Sequence, residues 1–480
     1  MLILNWVSIS LSIFLSIATA GHALLHKRSP SSALGWVAVC LVFPFAGPVL
    51  YFLFGINRVE TRAKKLKDRQ PASLVDLQDY EKAANIVSVA PSELHLPLRF
   101  TQIAQISEKV TGSPLLAGNR LKILHNGEAA YPDMINAIAS ARKTVYLTTY
   151  IFDTTSSGKR FIDALAKAVQ RGVDVRVIID GIGELYSMTR AGTKLKKAGV
   201  RVARFLPIKL FPPSLNINLR NHRKILVADG HTGYTGGINI GDRHLVKTYK
   251  KKKSRMVDIH FRLTGPIVMQ LEQAFLEDWA FCTGEQTEPT PSLPVQSGNV
   301  FCRAIADGPD GDINKLATIL IGAISSAREH ILIMTPYFLP SAEMISALKT
   351  AALRGIDVRI VLPLQNNLPF VQWASNKMLY ELIYWGVQIY YQPPPFVHSK
   401  LFLCDDQYAQ IGSANLDPRS LRLNFEFNIE LYDREVTAML SVHVKDSIQK
   451  SKKITLAAIE NRPLVIKIRD ALMWLFSPYL

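Results

Sequence analysis

The sequence predicts an α/β fold with a largely parallel, helix-flanked sheet in each of two halves, preceded by a membrane-embedded helical hairpin. Three observations predict it. Two long uncharged runs precede residue 57. Beyond residue 116, short β-branched runs alternate with segments of three- and four-residue apolar spacing. That alternation then recurs in the second half of the chain, as expected for strand–helix–strand units feeding a parallel sheet.

The N-terminus comes first. No Asp, Glu, Lys or Arg occurs before Lys27, and a second uncharged run extends from Ser29 to Asn57. Each is long enough for a hydrocarbon core of about 30 Å, which takes about 20 helical residues. Spans are expected at 4–25 and 33–55, joined by "HKRSPSS". A cleaved signal peptide is disfavoured, because the extreme N-terminus lacks Lys or Arg and a second apolar run follows at once. Pro44, Gly47 and Pro48 fit either a kinked span or a segment that re-enters. Lys27 and Arg28 lie in the turn, whereas Arg58, Arg62, Lys64, Lys65, Lys67 and Arg69 follow the second run. That bias predicts a multi-pass protein with both termini and the C-terminal bulk in the cytoplasm.

The repeat comes next. "AIASARKTVYLTTYIF" (137–152) matches "AISSAREHILIMTPYF" (323–338), "AVQRGVDVRVIID" (168–180) matches "AALRGIDVRIVLP" (351–363), and "AGVRV" (199–203) matches "WGVQI" (385–389). The division expected is an anchor at 1–56, a basic juxtamembrane linker at 57–115, one repeat at 116–285, a Pro/Ser-rich linker at 286–298, and a second repeat at 299–480 ending in an amphipathic segment.

One motif is repeated with the rest. "NHRKILVADG" holds His222, Lys224 and Asp229; "FVHSKLFLCDD" holds His398, Lys400 and Asp405. Both read H-x-K-x₄-D. Gly236, Gly237 and Asn239 follow His222 at the same distances as Gly412, Ser413 and Asn415 follow His398. A lone His-x-Lys is usually surface; a second copy with a matched tail marks half of a divided site.

Two H-x-K-x₄-D motifs, each followed by G-[GS]-x-N, resemble the phospholipase D superfamily. The N-terminal hairpin with "PFAGPVLYFLFG", the segment "NLDPRSLRLNFEFN" and the terminal "LFSPYL" make the chain similar to its bacterial cardiolipin synthase branch. The resemblance implies two phospholipase D-like repeats related by a pseudo-twofold. It also implies a membrane enzyme that moves a phosphatidyl group from one phosphatidylglycerol to another through a phosphohistidine, with no metal or other cofactor. His222, Lys224, Asp229, His398, Lys400 and Asp405 form the candidate catalytic set.

Chemistry supports this division of labour. A phosphodiester in transition gathers negative charge on its non-bridging oxygens, so fixed positive donors must face them. Lys224 and Lys400 supply charge, and Asn239 and Asn415 amide donors. One histidine attacks phosphorus; the other protonates the departing glycerol and later accepts a proton from the incoming alcohol. The superfamily more often attacks with the N-terminal copy, which implies His222 as nucleophile and His398 as acid/base. A carboxylate fixes the tautomer of such a ring; Asp258 is the candidate following the first motif and Glu426 the one following the second. Asp229 and Asp405 are expected to orient neighbours rather than react. Ser413 is expected to donate to phosphate or form a turn.

Asp258 follows Asn239 by nineteen residues, whereas Glu426 follows Asn415 by eleven. The extra length carries "KTYKKKKSR", with Lys247, Lys250, Lys251, Lys252, Lys253 and Arg255, and fits either a loop docking on anionic headgroups or a solvated face. Met256 and Val257 stand where the family usually has a Trp-Arg pair. Arg220 and Arg223 fit either a phosphate contact or solvent.

The remaining features divide the same way. "DGPDGD" (307–312) is expected as a turn rather than a calcium loop. "FLPIKLFPPSLNI" (205–217) and "LPFVQWASNKM" (368–378) fit an acyl-chain entrance or the packing between halves; "IKIRDALMWLFSPYL" fits an interfacial helix or one packed on the fold. Cys40, Cys282, Cys302 and Cys404 show no metal or redox spacing, and Cys404 is expected in the core.

The formal net charge of +17 suits an anionic partner. The expected partners are anionic phospholipids of the bacterial cytoplasmic membrane. A nuclease of the same superfamily is the rival enzyme; the apolar hairpin and the lack of aromatics among the lysines argue against it, and no nucleic acid is expected. Intact His, Lys and Asp in both copies argue against a non-catalytic scaffold.

Overall fold

A computed structural model describes residues 2–27, 30–55, 86–93, 96–187, 189–207, 219–290, 295–308 and 314–477. The basic residues 58–69, most of the apolar stretch 205–217 and most of "DGPDGD" lie outside the described residues. Two compact units are present, Met1–Arg69 and Gln70–Leu480.

In the first unit α1 (Leu2–His26) is long and apolar enough to cross a membrane. The second apolar run is not one helix. It divides into α2 (Pro30–Val42), α3 (Ala46–Leu50) and a single π-helical turn at Tyr51–Gly55. The break falls at Pro44, which has no backbone N–H to give a helical ladder. Ala20 and Ala23 of α1 pack against Cys40 and Tyr51, and Ser16 Oγ donates to the Pro44 carbonyl at 3.1 Å.

Among the described residues the second unit is built on a fifteen-stranded sheet with a separate two-stranded one beside it. Its strands up to the mid-chain are β1 (Leu116–His125), β2 (Thr144–Thr149), β3 (Asp174–Asp180), β4 (Arg201–Phe205), β5 (Ile225–Ala228), β6 (Thr232–Gly236), β7 (Met256–Val257) and β8 (Ile259–Thr264). Then come β9 (Val300–Asp307), β10 (His330–Met334), β11 (Asp357–Pro363), β12 (Gln388–Gln392), β13 (Phe396–Val397), β14 (Leu401–Cys404), β15 (Tyr408–Gly412), β16 (Glu426–Tyr432) and β17 (Lys452–Lys453). Helices α4 (Leu98–Thr111), α5 (Asn126–Ser140), α6 (Ser156–Gln170), α7 (Ala191–Lys197) and α8 (Ile267–Thr283) flank it. They are followed by α9 (Lys315–Ser326), α10 (Ala342–Leu353), α11 (Pro369–Tyr384), α12 (Pro418–Arg422), α13 (Arg434–Gln449), α14 (Leu456–Glu460) and α15 (Leu464–Leu475).

Among the described residues the strand order is β17-β12-β11-β10-β14-β15-β16-β9-β1-β8-β6-β5-β2-β3-β4. The expectation of a mainly parallel sheet in each half is corrected. The sheet is continuous and mixed. Among the described residues of the fifteen-stranded sheet only β2-β3-β4 and β10-β11-β12 run parallel, and the motif strands pair antiparallel. The reason is local: the motif strands return through tight turns at Asp229 and Asp405, not through helical crossovers. Outward from the antiparallel β1–β9 pair, one side reads β1-β8-β6-β5-β2-β3-β4 and the other β9-β16-β15-β14-β10-β11-β12.

Repeated sequence gives repeated local structure. On α6, Phe161, Ile162, Leu165 and Ala168 recur at helical spacing and are buried. The helix ends at Arg171, and Gly172 takes φ +86° before β3; α10 ends at Arg354, and Gly355 takes φ +86° before β11. Left-handed backbone there is cheap only for glycine, which accounts for the "RG" of both copies. Strand alternation splits the core. Ile331 and Ile333 pack with α4 and α9, whereas Leu332 and Met334 join the opposite face beneath α8 and α13.

The stretch expected as linker carries α4, whose Phe100, Ile103 and Ala104 are fully buried. Arg303 of β9, itself buried, donates to the Ala104 carbonyl at 2.7 Å, and Ser107 Oγ donates to Glu430 at 2.7 Å. Its polarity hides this helix among linker residues; its apolar positions only make sense beside β9 and β16.

Candidate active site

Each motif enters its strand from the middle of the sheet. His222 and Lys224 precede β5, and His398 and Lys400 precede β14. Asp229 ends the first strand at φ +54° and Asp405 the second at φ +50°. Neither aspartate serves a histidine. Asp229 accepts from the amides of Arg142, Lys143 and Thr144 at 2.7–2.9 Å. Asp405 accepts from those of Arg328, Glu329 and His330 at 2.9–3.3 Å, and lies 3.3 Å from Arg99 Nε. Both fasten the motif turn to the approach of the neighbouring antiparallel strand, β2 or β10.

The two motifs meet through reciprocal carboxylates. His222 Nδ1 lies 3.0 Å from Glu426 Oε2, and His398 Nδ1 lies 2.7 Å from Asp258 Oδ2. Each carboxylate therefore orients the ring of the opposite half, not the motif it follows in sequence. Backbone pairing repeats the exchange: His222 N–H donates to the Phe425 carbonyl at 2.8 Å, and His398 N–H to that of Val257 at 2.8 Å. The two-residue strand β7 pairs in parallel with β13 to bring Asp258 to His398.

Burial and charge set the protonation states. Burial pushes His398 down to about 3, helped by Lys400 and opposed by Asp258. Burial also lowers His222, with Glu426 opposing. Burial alone would raise Asp258 and Glu426, but facing histidines and lysines hold both below the usual carboxylate range. Desolvation brings Lys224 down to about 7 and Lys400 to about 8, and Lys400 itself contributes to the depression of Lys224. Lys224 Nζ donates to the His222 carbonyl at 2.6 Å; Lys400 Nζ bonds the His398 carbonyl and lies 3.1 Å from the ring Nδ1. Both ammonium groups are buried, and desolvation lowers the proton affinity of each.

The supporting residues divide. Ser413 is not free for phosphate: its Oγ donates to Glu426 Oε2 at 2.5 Å and accepts the Phe427 N–H at 2.9 Å. Asn239 Oδ1 accepts the Ile151 N–H at 3.2 Å, and Asn415 Nδ2 donates to Ser420 Oγ at 3.1 Å. Arg220 and Arg223 face neither phosphate nor solvent; both are buried, against Asp180 at 3.2 Å and Asp278 at 3.0 Å. Cys404 is in the core, as expected.

Comparison with known proteins fixes the family. The family described as "Cardiolipin synthase, PLD-like domain" matches residues 134–279 and 320–447, and "Phospholipase_D-nuclease N-terminal" matches 14–55. The chain is 33% identical to the cardiolipin synthase of Alkalihalophilus pseudofirmus, covering 99% of this chain and 95% of that one. It is also 33% identical to the major cardiolipin synthase ClsA of Bacillus subtilis, covering 95% of each. The chain belongs to the cardiolipin synthase family. Among solved structures, the phosphatidylserine synthase of Haemophilus influenzae shares the fold, with TM-score 0.62 at 16% identity over 79% of this chain and 100% of that one.

As a member of the cardiolipin synthase family the protein is a phosphatidyltransferase with phospholipid substrates, and its apolar α1 fits association with a membrane. Three of its site residues escaped the sequence reading. The Tyr150 ring stands edge-on to His222 at 5.4 Å and 5.7 Å from Lys224 Nζ. His244, buried, stands 6.1 Å from the His398 ring. Asn424 donates to the second oxygen of Glu426 at 3.1 Å. Tyr150 lies in "TTYIF" of the first matched segment, where the second has Pro336, and Asn424 lies in "LNFE", so both sat inside quoted segments; nothing in the sequence marked His244.

Proposed function

We propose that the protein condenses two phosphatidylglycerols into cardiolipin and glycerol. His222 Nε2 attacks phosphorus, the bond to the headgroup glycerol oxygen breaks, and His398, taken up as imidazolium beside Asp258 and the bound phosphate anion, gives that oxygen its Nε2 proton. The hydroxyl of a second phosphatidylglycerol then loses its proton to His398 and attacks phosphorus, releasing His222. Lys224 and Lys400 hold the non-bridging oxygens, with Asn239 and Asn415 lining the approach; Asp258, Glu426 and Ser413 position the rings.

The observation that carries this reading is the reciprocal carboxylate pairing. With both Nδ1 atoms turned to carboxylates, the second nitrogen of each ring is left to meet one phosphorus from either side. The clamp on Glu426 by Ser413 and Asn424 favours His222 as attacker, since the attacking ring must hold its trajectory.

The architecture proposed with it is an anchor at 1–56, two repeats at 116–285 and 299–480 related by a pseudo-twofold, and a hairpin with both termini cytoplasmic. The matched strand orders on the two sides of β1–β9 support the repeats.

The test is purified protein with labelled phosphatidylglycerol in detergent micelles, scored for cardiolipin, glycerol and phosphatidic acid beside a DNA substrate. DNA cleavage without lipid conversion sinks the proposal. A phosphoenzyme trapped in His398→Ala but not in His222→Ala supports the assignment of the rings; the reverse exchanges them.

A further inference from the structure

The C-terminal helix α15 is held from one side only. Asp470, buried, pairs with Arg469 at 2.6 Å and Arg462 at 3.3 Å and accepts from Asn376 of α11 at 3.1 Å. Arg469 lies 4.3 Å over the Trp373 ring, and Met473 packs against the cluster of Leu339, Val371 and Ala374. Everything polar that fixes the helix is on this side.

The opposite side is apolar and uncovered. Val465, Ile468, Leu472, Leu475 and Phe476 are between 51% and 77% exposed. At 3.6 residues per turn they share one arc, bordered by Lys467 on one edge and Arg469 on the other. An apolar arc with cationic borders is the pattern of a helix lying in a headgroup–acyl boundary.

Packed side chains connect this helix toward the candidate active site. Met473 and Tyr337 both pack on the Leu339–Val371–Ala374 cluster; the Tyr337 ring stands 6.4 Å from Phe396, and Phe396 6.0 Å from His398. A continuous file of apolar and aromatic side chains thus runs from the exposed arc to the candidate acid/base.

We infer that α15 is a lipid-docking ledge: its Val465–Phe476 arc sits among the acyl chains of an anionic leaflet and delivers lipid along the Met473–Tyr337–Phe396 file. The inference rests on the proposed lipid chemistry, deepening it from a reaction to a docking geometry. Charge selects the occupant. Lys467 at the border, and a net charge of +17, suit an anionic surface and oppose a second copy of the same cationic chain.

The test uses the full chain reconstituted in vesicles of equal parts phosphatidylglycerol and phosphatidylcholine. With Ile468→Glu, Leu472→Glu and Leu475→Glu combined, the ratio of turnover on vesicle lipid to turnover on micelles of short-chain phosphatidylglycerol should fall at least about tenfold. A second measurement survives poor folding of that variant. A fluorophore at Leu472→Cys, in a Cys282→Ser background, should be quenched by acyl-chain spin labels; one at Val442→Cys, on the sheet's other face, should not.

An unchanged ratio, or an unquenched Leu472 label, overturns the ledge. So does a wild-type dimer in detergent that the triple variant dissolves, with the label shielded from lipid; the occupant is then a second copy. Failure of the wild type on both lipids sinks the proposed reaction instead, and quenching alone then decides the ledge.

Discussion

His398 Nδ1 and Asp258 Oδ2 lie 2.7 Å apart, yet 140 residues and the β1–β9 seam separate them. A buried imidazole has two tautomers, and this contact selects the one with Nε2 unprotonated in the neutral ring. The same holds for His222 and Glu426. Site geometry is therefore a property of the seam, not of either half.

Asp258→Asn keeps the shape and removes the charge that steers His398. Turnover should fall by about 10²-fold or more, within the range a positioned acid or base contributes. Combining it with His398→Ala should cost little beyond His398→Ala alone, since one function is lost once. Single-turnover kinetics on phosphatidylglycerol check this; additive losses would mean that Asp258 acts elsewhere.

The lysines set an alkaline limit. Burial lowers Lys224 to about 7 and Lys400 to about 8, and both must be charged to receive phosphate. The kcat/KM of the free enzyme should decline as pH rises through that window. A bound phosphodiester favours the ammonium forms, so kcat should hold to higher pH. Stability runs the other way. A lysine whose folded pKa lies below its unfolded value of 10.5 costs stability in full below about pH 7, and that cost fades as pH rises from there toward 10.5. Lys224→Met should therefore raise the unfolding midpoint at pH 6 by more than at pH 9.

Asp229→Ala should unfold the protein more easily rather than alter its chemistry. It strips an acceptor from three amides, two of them exposed and one half-buried, each hydrogen bond being worth about 0.5–1.5 kcal/mol. Asp229→Asn keeps an oxygen and tolerates positive φ, so it should cost less. Denaturant midpoints beside kcat separate the two effects.

Arg223→Ala strands Asp278, and breaking a buried pair costs about 3–5 kcal/mol. The unfolding midpoint should drop sharply while KM for phosphatidylglycerol in the folded fraction stays put. A rise in KM alone would return Arg223 to the phosphate.

Much of this was legible beforehand because repetition is visible without structure. The strands beginning at Thr144, Asp174, His330 and Asp357 fall inside the matched segments, and both H-x-K pairs precede their strands as spacing required. Asp258 and Glu426 were recognisable as carboxylates of the right kind. Their exchange of partners was not, because nothing local distinguishes a contact within a half from one across β1–β9. Arg220 and Arg223 failed for a related reason: their acidic partners, Asp180 and Asp278, sit on elements far along the chain. Ser413 looked like a donor to substrate because its acceptor, Glu426, arrives from the neighbouring strand β16.

The exchange of carboxylates has a genetic corollary. A first-half lesion at Asp258 disables the second half's imidazole, and a second-half lesion at Glu426 disables the first half's. Neither copy can drift toward a private purpose while the other keeps working. Damage on either side of the β1–β9 seam is thus felt on the other.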